Sequence, residues 1–356
     1  MKKTYRMLSM MGMVAVLALL SSSCKKNEQN SEITIMVPAF EEVMGDPSEA
    51  SRAYIDFTDG NKFKWNAYDE VMVYNLDATE GTNTKKAIYR AKANAEDKET
   101  TKLYFYDGTQ PGTKMDHFFI FYPTCKVKNG LANLDKDNFE TFEVPAIQNY
   151  TLESRTTEAG ATIEFPTLDH ESMAMACEVD RLTQQFTLKH VFGAMRIRLF
   201  GYEGTMVDKI EVIDNDIQLT GTVAMKLHEV NMATFQGLNA EESYNLANLA
   251  DGTFLEAWNT YRTTLGYFPQ PTGKTITLNC ITSERPNGVA LNTLAETNFY
   301  LSMRPGALIK GFTIKVYYNG NAEPQVITKY NTPNDNYCIR AGRCTSFAPQ
   351  EIYIGQ

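Results

Sequence analysis

Phe186-Thr187-Leu188-Lys189-His190-Val191-Phe192-Gly193-Ala194-Met195-Arg196-Ile197-Arg198-Leu199 carries the same rhythm twice. Phe186, Leu188 and His190 hold alternate places, and beyond Gly193 so do Met195, Ile197 and Leu199, with Arg196 and Arg198 between them. Period two marks a strand with one buried and one wetted face. Working outward, the rhythm recurs at Leu103/Phe105, Phe118/Ile120/Tyr122, Ile210/Val212, Phe299/Leu301/Met303, Phe312/Ile314/Val316 and Ile352/Ile354. Turn dipeptides separate these runs: Asp59-Gly60, Asp107-Gly108, Asn129-Gly130 and Asn319-Gly320, the last a strong hairpin signal. The single helical expectation is a short surface helix over Asn239 to Leu249. The fold class is therefore mostly β, with sandwich-like packing to cover many half-buried antiparallel strands.

The chain opens differently. Lys2, Lys3 and Arg6 precede an apolar run from Met7 to Leu20, followed by Ser21-Ser22-Ser23-Cys24. These are the charged, apolar and small-residue regions of an export signal, and the run is too short for a spanning helix, which needs about 20 apolar residues. The junction resembles the lipobox of bacterial lipoproteins, which implies diacylation of Cys24 at the mature N-terminus; the alternative is an ordinary secretory signal leaving a plain thiol. Residues 1–23 read as signal and 24–32 as a polar tether. Loss of the leader's three cations takes the formal charge from −9 to about −12, which argues against a nucleic-acid partner. The remaining length, with 43% hydrophobic and 11% aromatic residues, suits two packed domains. A loop-rich stretch from Val144-Pro145 through Pro166 to Glu171 places their boundary near residue 183, giving 33–183 and 184–356.

A search for catalytic chemistry yields little. His117, His170, His190 and His228 are the only histidines and none has metal-ligand spacing. His190, within a strand pattern, reads as structural or solvent-facing. Asp135, Asp137 and Glu140 lack the glycine and spacing of a calcium loop. Carboxylate pairs such as Asp214/Asp216 and Glu241/Glu242 are common on surfaces, and neither a nucleophile elbow nor a phosphate-binding glycine loop is present. The expectation is a non-enzyme with no cofactor and no metal. Trp65 reads as core, and Trp258 is the better candidate for an exposed aromatic. Of the six cysteines, Cys24 is assigned to the lipid, leaving Cys125, Cys177, Cys280, Cys338 and Cys344. Cys280 reads as a small buried hydrophobe; Cys338 and Cys344 flank a turn and are candidates for a bridge or for two thiols.

Several motifs, in one order, resemble the fimbrillin family, the lipoprotein pilins and accessory subunits of anaerobic Bacteroidales-type bacteria. They are Phe63-Lys-Trp65-Asn-Ala-Tyr-Asp69-Glu-Val71-Met-Val73-Tyr74, Phe119-Ile-Phe121-Tyr-Pro123, Phe186 through Ile197, Leu219-Thr220-Gly221-Thr222, and Ile339-Arg-Ala341-Gly342. The resemblance implies two tandem β-sandwich-like, transthyretin-like domains with few short helices. It also implies a precursor anchored to the cell outer membrane by lipid on Cys24, and a structural or accessory role in cell-surface fimbriae, supporting adhesion or biofilm. In the shaft-forming members a processing protease of arginine or trypsin type removes the first strand, and a strand from another subunit fills the slot.

On this chain the displaced strand would be Ile33, Ile35 and Val37. The cut would fall between Arg52 and Ala53, unless Arg52 belongs to an uncut subunit. The donor would be Phe347, Ile352 and Ile354, unless that segment is an ordinary last strand. The partners implied are other fimbrial subunits, the outer membrane and the protease. The alternative is a non-polymerising surface lipoprotein that binds a glycan or host ligand.

Overall fold

The computed structural model describes residues 33–36, 41–43, 54–56, 62–65, 69–75, 86–93, 100–108, 118–122, 139–179, 186–215, 219–226, 267–304, 306–308, 311–329, 338–339 and 342–353. Among these, strands account for nearly all regular structure, and the one helical element is a single 3₁₀ turn, His170–Ser172. The helix expected over residues 239–249 lies outside the described residues.

In the first part of the chain run β1 (Ile33–Met36), β2 (Glu41–Val43), β3 (Tyr54–Asp56), β4 (Lys62–Lys64), β5 (Glu70–Asn75), β6 (Lys86–Ala93), β7 (Thr100–Gly108) and β8 (Phe118–Tyr122). After them come β9 (Phe139–Val144), β10 (Ile147–Asn149), β11 (Thr151–Thr156), β12 (Thr162–Thr167), β13 (Met175–Val179), β14 (Phe186–Thr187) and β15 (Lys189–His190). One sheet has the order β14-β1-β7-β6-β5-β8-β13-β15.

Its two outermost strands are consecutive in sequence. Phe186 and Thr187 pair in parallel with Ile35 and Met36, while Lys189 and His190 pair antiparallel with Ala176 and Met175. The stretch 186–190 thus hydrogen-bonds both rims and closes the sheet on itself, which removes its open edges. This closure goes beyond what alternation can show, because period two fixes which side chains face inward but not how many neighbours a strand has.

The inside of the closed sheet is filled by Val71, Val73, Tyr89, Leu103, Phe118, Ile120, Tyr122, Met175, Cys177 and Leu188, together with Phe63 and Trp65 from the end of β4. Trp65 is fully buried, as its alternation with Phe63 predicted, and its ring lies edge-on to Phe63 at 4.8 Å and to Tyr122 at 5.4 Å. Such edge-to-face pairs contribute roughly 0.5–1.5 kcal/mol beyond their area. His190 is buried at the seam, 6.1 Å from Phe63, a structural position.

The remaining strands are β16 (Gly193–Gly201), β17 (Met206–Asp214), β18 (Thr220–Lys226), β19 (Tyr267–Gly273), β20 (Thr275–Asn279), β21 (Val289–Ala290) and β22 (Thr297–Met303). They are followed by β23 (Gly306–Ala307), β24 (Phe312–Tyr318), β25 (Gln325–Lys329), β26 (Cys338–Ile339), β27 (Arg343–Ser346) and β28 (Gln350–Ile352). Two sheets, β10-β20-β17-β24-β25 and β2-β27-β16-β22, share one core. Ile210, Val212, Ile276, Leu278, Ile314 and Val316 from the first meet Met195, Ile197, Leu199, Phe299, Leu301 and Met303 from the second. Each is the inward member of an alternating strand, and full burial is worth about 1.5–3 kcal/mol per side chain.

β5 and β8 connect the two lobes, being buried on both faces. Met72, Tyr74, Phe119 and Phe121 point away from the closed sheet and belong to the same cluster as Met195 and Ile197. The expected boundary at 183 falls between β13 and β14, both strands of the closed sheet, while β10 crosses over to pair in parallel with β20. At Asn319-Gly320 the backbone turns through φ of 52° and 69°, the left-handed pair that this dipeptide favours. Asn319 then continues the β17 ladder: its N–H donates to Met206 O at 2.9 Å, and its Oδ1 accepts from Met206 N at 2.8 Å.

Candidate functional site

The chain ends meet the fold in four places. β1 lies antiparallel to β7, Ile33 opposite Leu103 and Met36 opposite Thr100, and parallel to β14 on its other side. It is a stave of the closed sheet, not an outer strand. A few residues later β2 joins the other lobe, Glu41–Val43 running parallel to Arg343–Thr345 of β27. One short arm therefore contributes a strand to each lobe. Ile33 and Ile35 fall in β1; Val37, Cys24, Arg52 and Ala53 lie outside the described residues.

At the C-terminus, β27 and β28 run parallel to β16 on the same side, Ala194 opposite Cys344 and Gly201 opposite Ile352. Phe347, between them, is buried against Phe312 with ring centroids 4.6 Å apart. Arg196 Nε donates to Ser346 Oγ at 2.9 Å, and Arg198 Nε to Phe347 O at 2.8 Å. Ile352 is buried and Ile354 lies outside the described residues. In this structure the segment named as a donor strand is seated in its own chain. Cys344 is a buried thiol in a small cluster with Leu168, Met173, Ala194 and Tyr300. Cys338 sits on β26, which pairs with β23, so that the two cysteines take different strand partners. Cys280 is a buried thiol as expected, its pKa pushed up by burial first and by nearby Asp208 second.

Sequence reading missed two glutamines that tie the sandwich together at opposite rims. Gln148 on β10 donates through Nε2 to Ser302 O at 2.7 Å and accepts at Oε1 from Ser302 N at 2.9 Å. A side-chain amide has the same donor and acceptor as a peptide, so Gln148 completes the outer strand β22 as one residue of a further strand would. Across the sandwich, Gln325 on β25 donates to Glu351 O at 2.9 Å and accepts from Tyr353 N at 2.8 Å. Tyr318 OH adds a bond to Tyr353 O at 2.9 Å. No local sequence pattern announces these pairs, since their members lie 154 and 28 residues apart.

The 3₁₀ turn is organised by Asp169, whose carboxylate accepts from Asn149 N at 2.7 Å and Glu171 N at 2.9 Å. Beside it His170 Nε2 meets Glu153 Oε1 of β11 at 3.0 Å. The hydrogen bond to Glu153 raises the His170 pKa above its ordinary value; burial opposes it, and the charges of Glu153, Asp169 and Asp69 reinforce it. The sign follows: a raised histidine pKa contributes stability that is full below the unfolded value of about 6.5 and is lost as pH rises through the folded value. We therefore expect the wild type to gain stability between pH 8 and pH 6 relative to His170→Gln, and NMR titration to place His170 above 6.5. A His170 midpoint at or below 6.5 would refute the pairing.

Among the described residues no group of three or more His, Cys, Asp or Glu is placed to hold a metal ion. His117, His228, Trp258, Asp135, Asp137, Asp216, Glu241 and Glu242 lie outside the described residues, and Glu140 is on β9.

No family model matches the chain, and no curated protein matches it. Among solved structures it is similar to a candidate cell adhesion protein from Bacteroides fragilis, with 10% identity, a TM-score of 0.41, and coverage of 91% of this chain and 94% of that one. A fimbrial protein from Bacteroides ovatus gives 9% identity and a TM-score of 0.35, over 91% of this chain and 50% of that one. The tip fimbrial protein Mfa3 from Porphyromonas gingivalis gives 9% identity and 0.32, over 88% and 92%. These neighbours are named for cell adhesion or for fimbriae.

Proposed function

We propose that the chain is a surface subunit of fimbrial type, exported as a precursor lipidated on Cys24 and assembled through strand exchange after cleavage at Arg52-Ala53. The observation that supports this best is the position of β1 between β7 and β14. A stave taken from a closed sheet leaves two facing rows of backbone donors and acceptors and uncovers the core beneath them, a slot suited to one extended strand. Four or five apolar side chains entering such a slot at about 1.5–3 kcal/mol each would contribute on the order of 6–15 kcal/mol before ordering costs. A joint of that size persists without a covalent bond. Arg52 lies C-terminal to both β1 and β2, so one cut there would separate the whole arm from the rest of the chain.

The test is mass spectrometry of the N-terminus of protein recovered from the cell surface, alongside its migration on an unheated denaturing gel. We expect a new terminus at Ala53 and a heat-labile ladder of multimers, both abolished in Arg52→Ala. A lipidated Cys24 on a lone monomer would instead support a non-polymerising surface lipoprotein.

A further inference from the structure

β16 and β28 end together. Gly201 lies opposite Ile352 in a parallel register, so the next residues, Tyr202 and Tyr353, leave the sheet side by side. Both are large aromatics left in solvent, with relative exposures of 52% and 58%. Each is held through its backbone: Tyr202 O accepts from Thr205 N at 3.0 Å, and Tyr353 is fixed at both N and O by Gln325 and Tyr318. The carboxylate of Glu351 is close enough to the Tyr353 phenol to raise its pKa. The neighbouring loop accepts Gly201 N at Asn292 O and presents Leu294, 97% exposed, at its tip. Asn292 Oδ1 shapes that tip by accepting from Leu294 N at 2.8 Å and Ala295 N at 3.0 Å.

We propose that Tyr202 and Tyr353 form a stacking platform for a neutral glycan. Three features favour that ligand class. Rigid tyrosines offer amphipathic contact area with little conformational entropy left to lose, which suits the C–H face of a sugar ring. The exposed part of two tyrosines and a leucine is on the order of 300–400 Å², well below the ~800 Å² per partner of a stable protein interface. Glu351, near the Tyr353 phenol, and the exposed Glu203, next to Tyr202 in sequence, supply carboxylate acceptors for hydroxyl groups and disfavour anionic sugars, on a chain that is acidic as a whole. The platform lies outside the N-terminal arm but includes Tyr353 of the candidate donor segment, so it belongs to the subunit whose C-terminal strand is seated in its own chain, and binding is measured on that uncut form.

The experiment uses the detergent-solubilised mature protein, titrated calorimetrically with mannan, galactan, cellopentaose and maltopentaose, and with sialyllactose as the anionic probe. We expect saturable binding of at least one neutral probe, weakened at least tenfold by Tyr202→Ala and by Tyr353→Ala, retained in Tyr353→Phe, and unchanged by Tyr317→Ala on the outer face of β24. Circular dichroism melts identify any variant that has lost its fold. The proposal is overturned if no neutral probe binds the wild type, if the folded double alanine variant binds as well as wild type, or if sialyllactose binds more tightly than the neutral probes.

Discussion

Gly288→Ala should lower the melting temperature by about 5–10 °C, the loss expected for roughly 3–4 kcal/mol in a chain of this size. Gly288 closes the turn begun at Arg285, whose carbonyl accepts its N–H at 3.1 Å, and it does so at φ of +83°. A β-carbon there would stand 2.3 Å from Val207 O and 3.0 Å from Val207 C, both backbone atoms. Two costs combine. The left-handed conformation disfavours an L side chain by about 1–2 kcal/mol. The clash forces a shift of the kind that overpacked sites resist at about 1–3 kcal/mol. That shift has somewhere harmful to go, because the next residues are β21, paired to the start of β17 with Val207 opposite Val289. Val289 and Leu291, both buried, would be levered out of the core. Gly160 and Gly204 supply the control, since they have φ of 81° and 82° and a β-carbon at either would meet nothing within 4 Å. Alanine at either should cost only the conformational part. Thermal melts of the three variants decide the matter: equal shifts at Gly204 and Gly288 would mean that the approach to Val207 is not tight.

What could be read from the sequence, and what could not, divides by distance along the chain. Alternation is a local property, and it identified the inward residues of β16, β17, β22 and β24 as they are buried. Trp65, Cys280 and the Asn319-Gly320 turn were legible for the same reason. The closure of the first sheet was not, because the stretch 186–190 shows the same period whether it has one strand neighbour or two. Its neighbours, β1 and β13, come from opposite ends of the first half of the chain. The parallel pairings of β10 with β20 and of β16 with β27 and β28 are equally silent, having no turn to mark them. Cys24 and Arg52, proposed above as the lipidation and cleavage sites, rest on chemical signals that a short stretch can carry. Tyr202 and Tyr353 are brought side by side only by the register of strands drawn from distant parts of the chain.

Replacing Gln148 by leucine should cost about 3–4 kcal/mol, although leucine nearly matches its volume and is the more hydrophobic. The reason lies in what Gln148 leaves behind. Ser302 is on the outermost strand of its sheet, with its N–H and C=O directed away from β16, and the whole junction is sealed: Gln148 is 0% exposed and Ser302 1%. Without the amide, one backbone donor and one acceptor are buried unpaired, at about 1–3 kcal/mol each. Filling the space with carbon does not offset that, since no water replaces the lost partner. Gln148→Glu keeps an acceptor for Ser302 N but sets a carboxylate against Ser302 O, and should be at least as damaging. Gln325 makes the same pair of bonds, to Glu351 O and Tyr353 N, but it is only half-buried and Tyr353 stands in solvent. Water can satisfy those groups, so Gln325→Leu should cost about 1 kcal/mol or less. Urea unfolding gives the two free energies, and hydrogen exchange at the Ser302 amide, fast in Gln148→Leu and slow in wild type, locates the effect. Equal losses at the two glutamines would show that the bonds matter regardless of burial, whereas the predicted ratio would assign the closure of the sandwich to the buried rim.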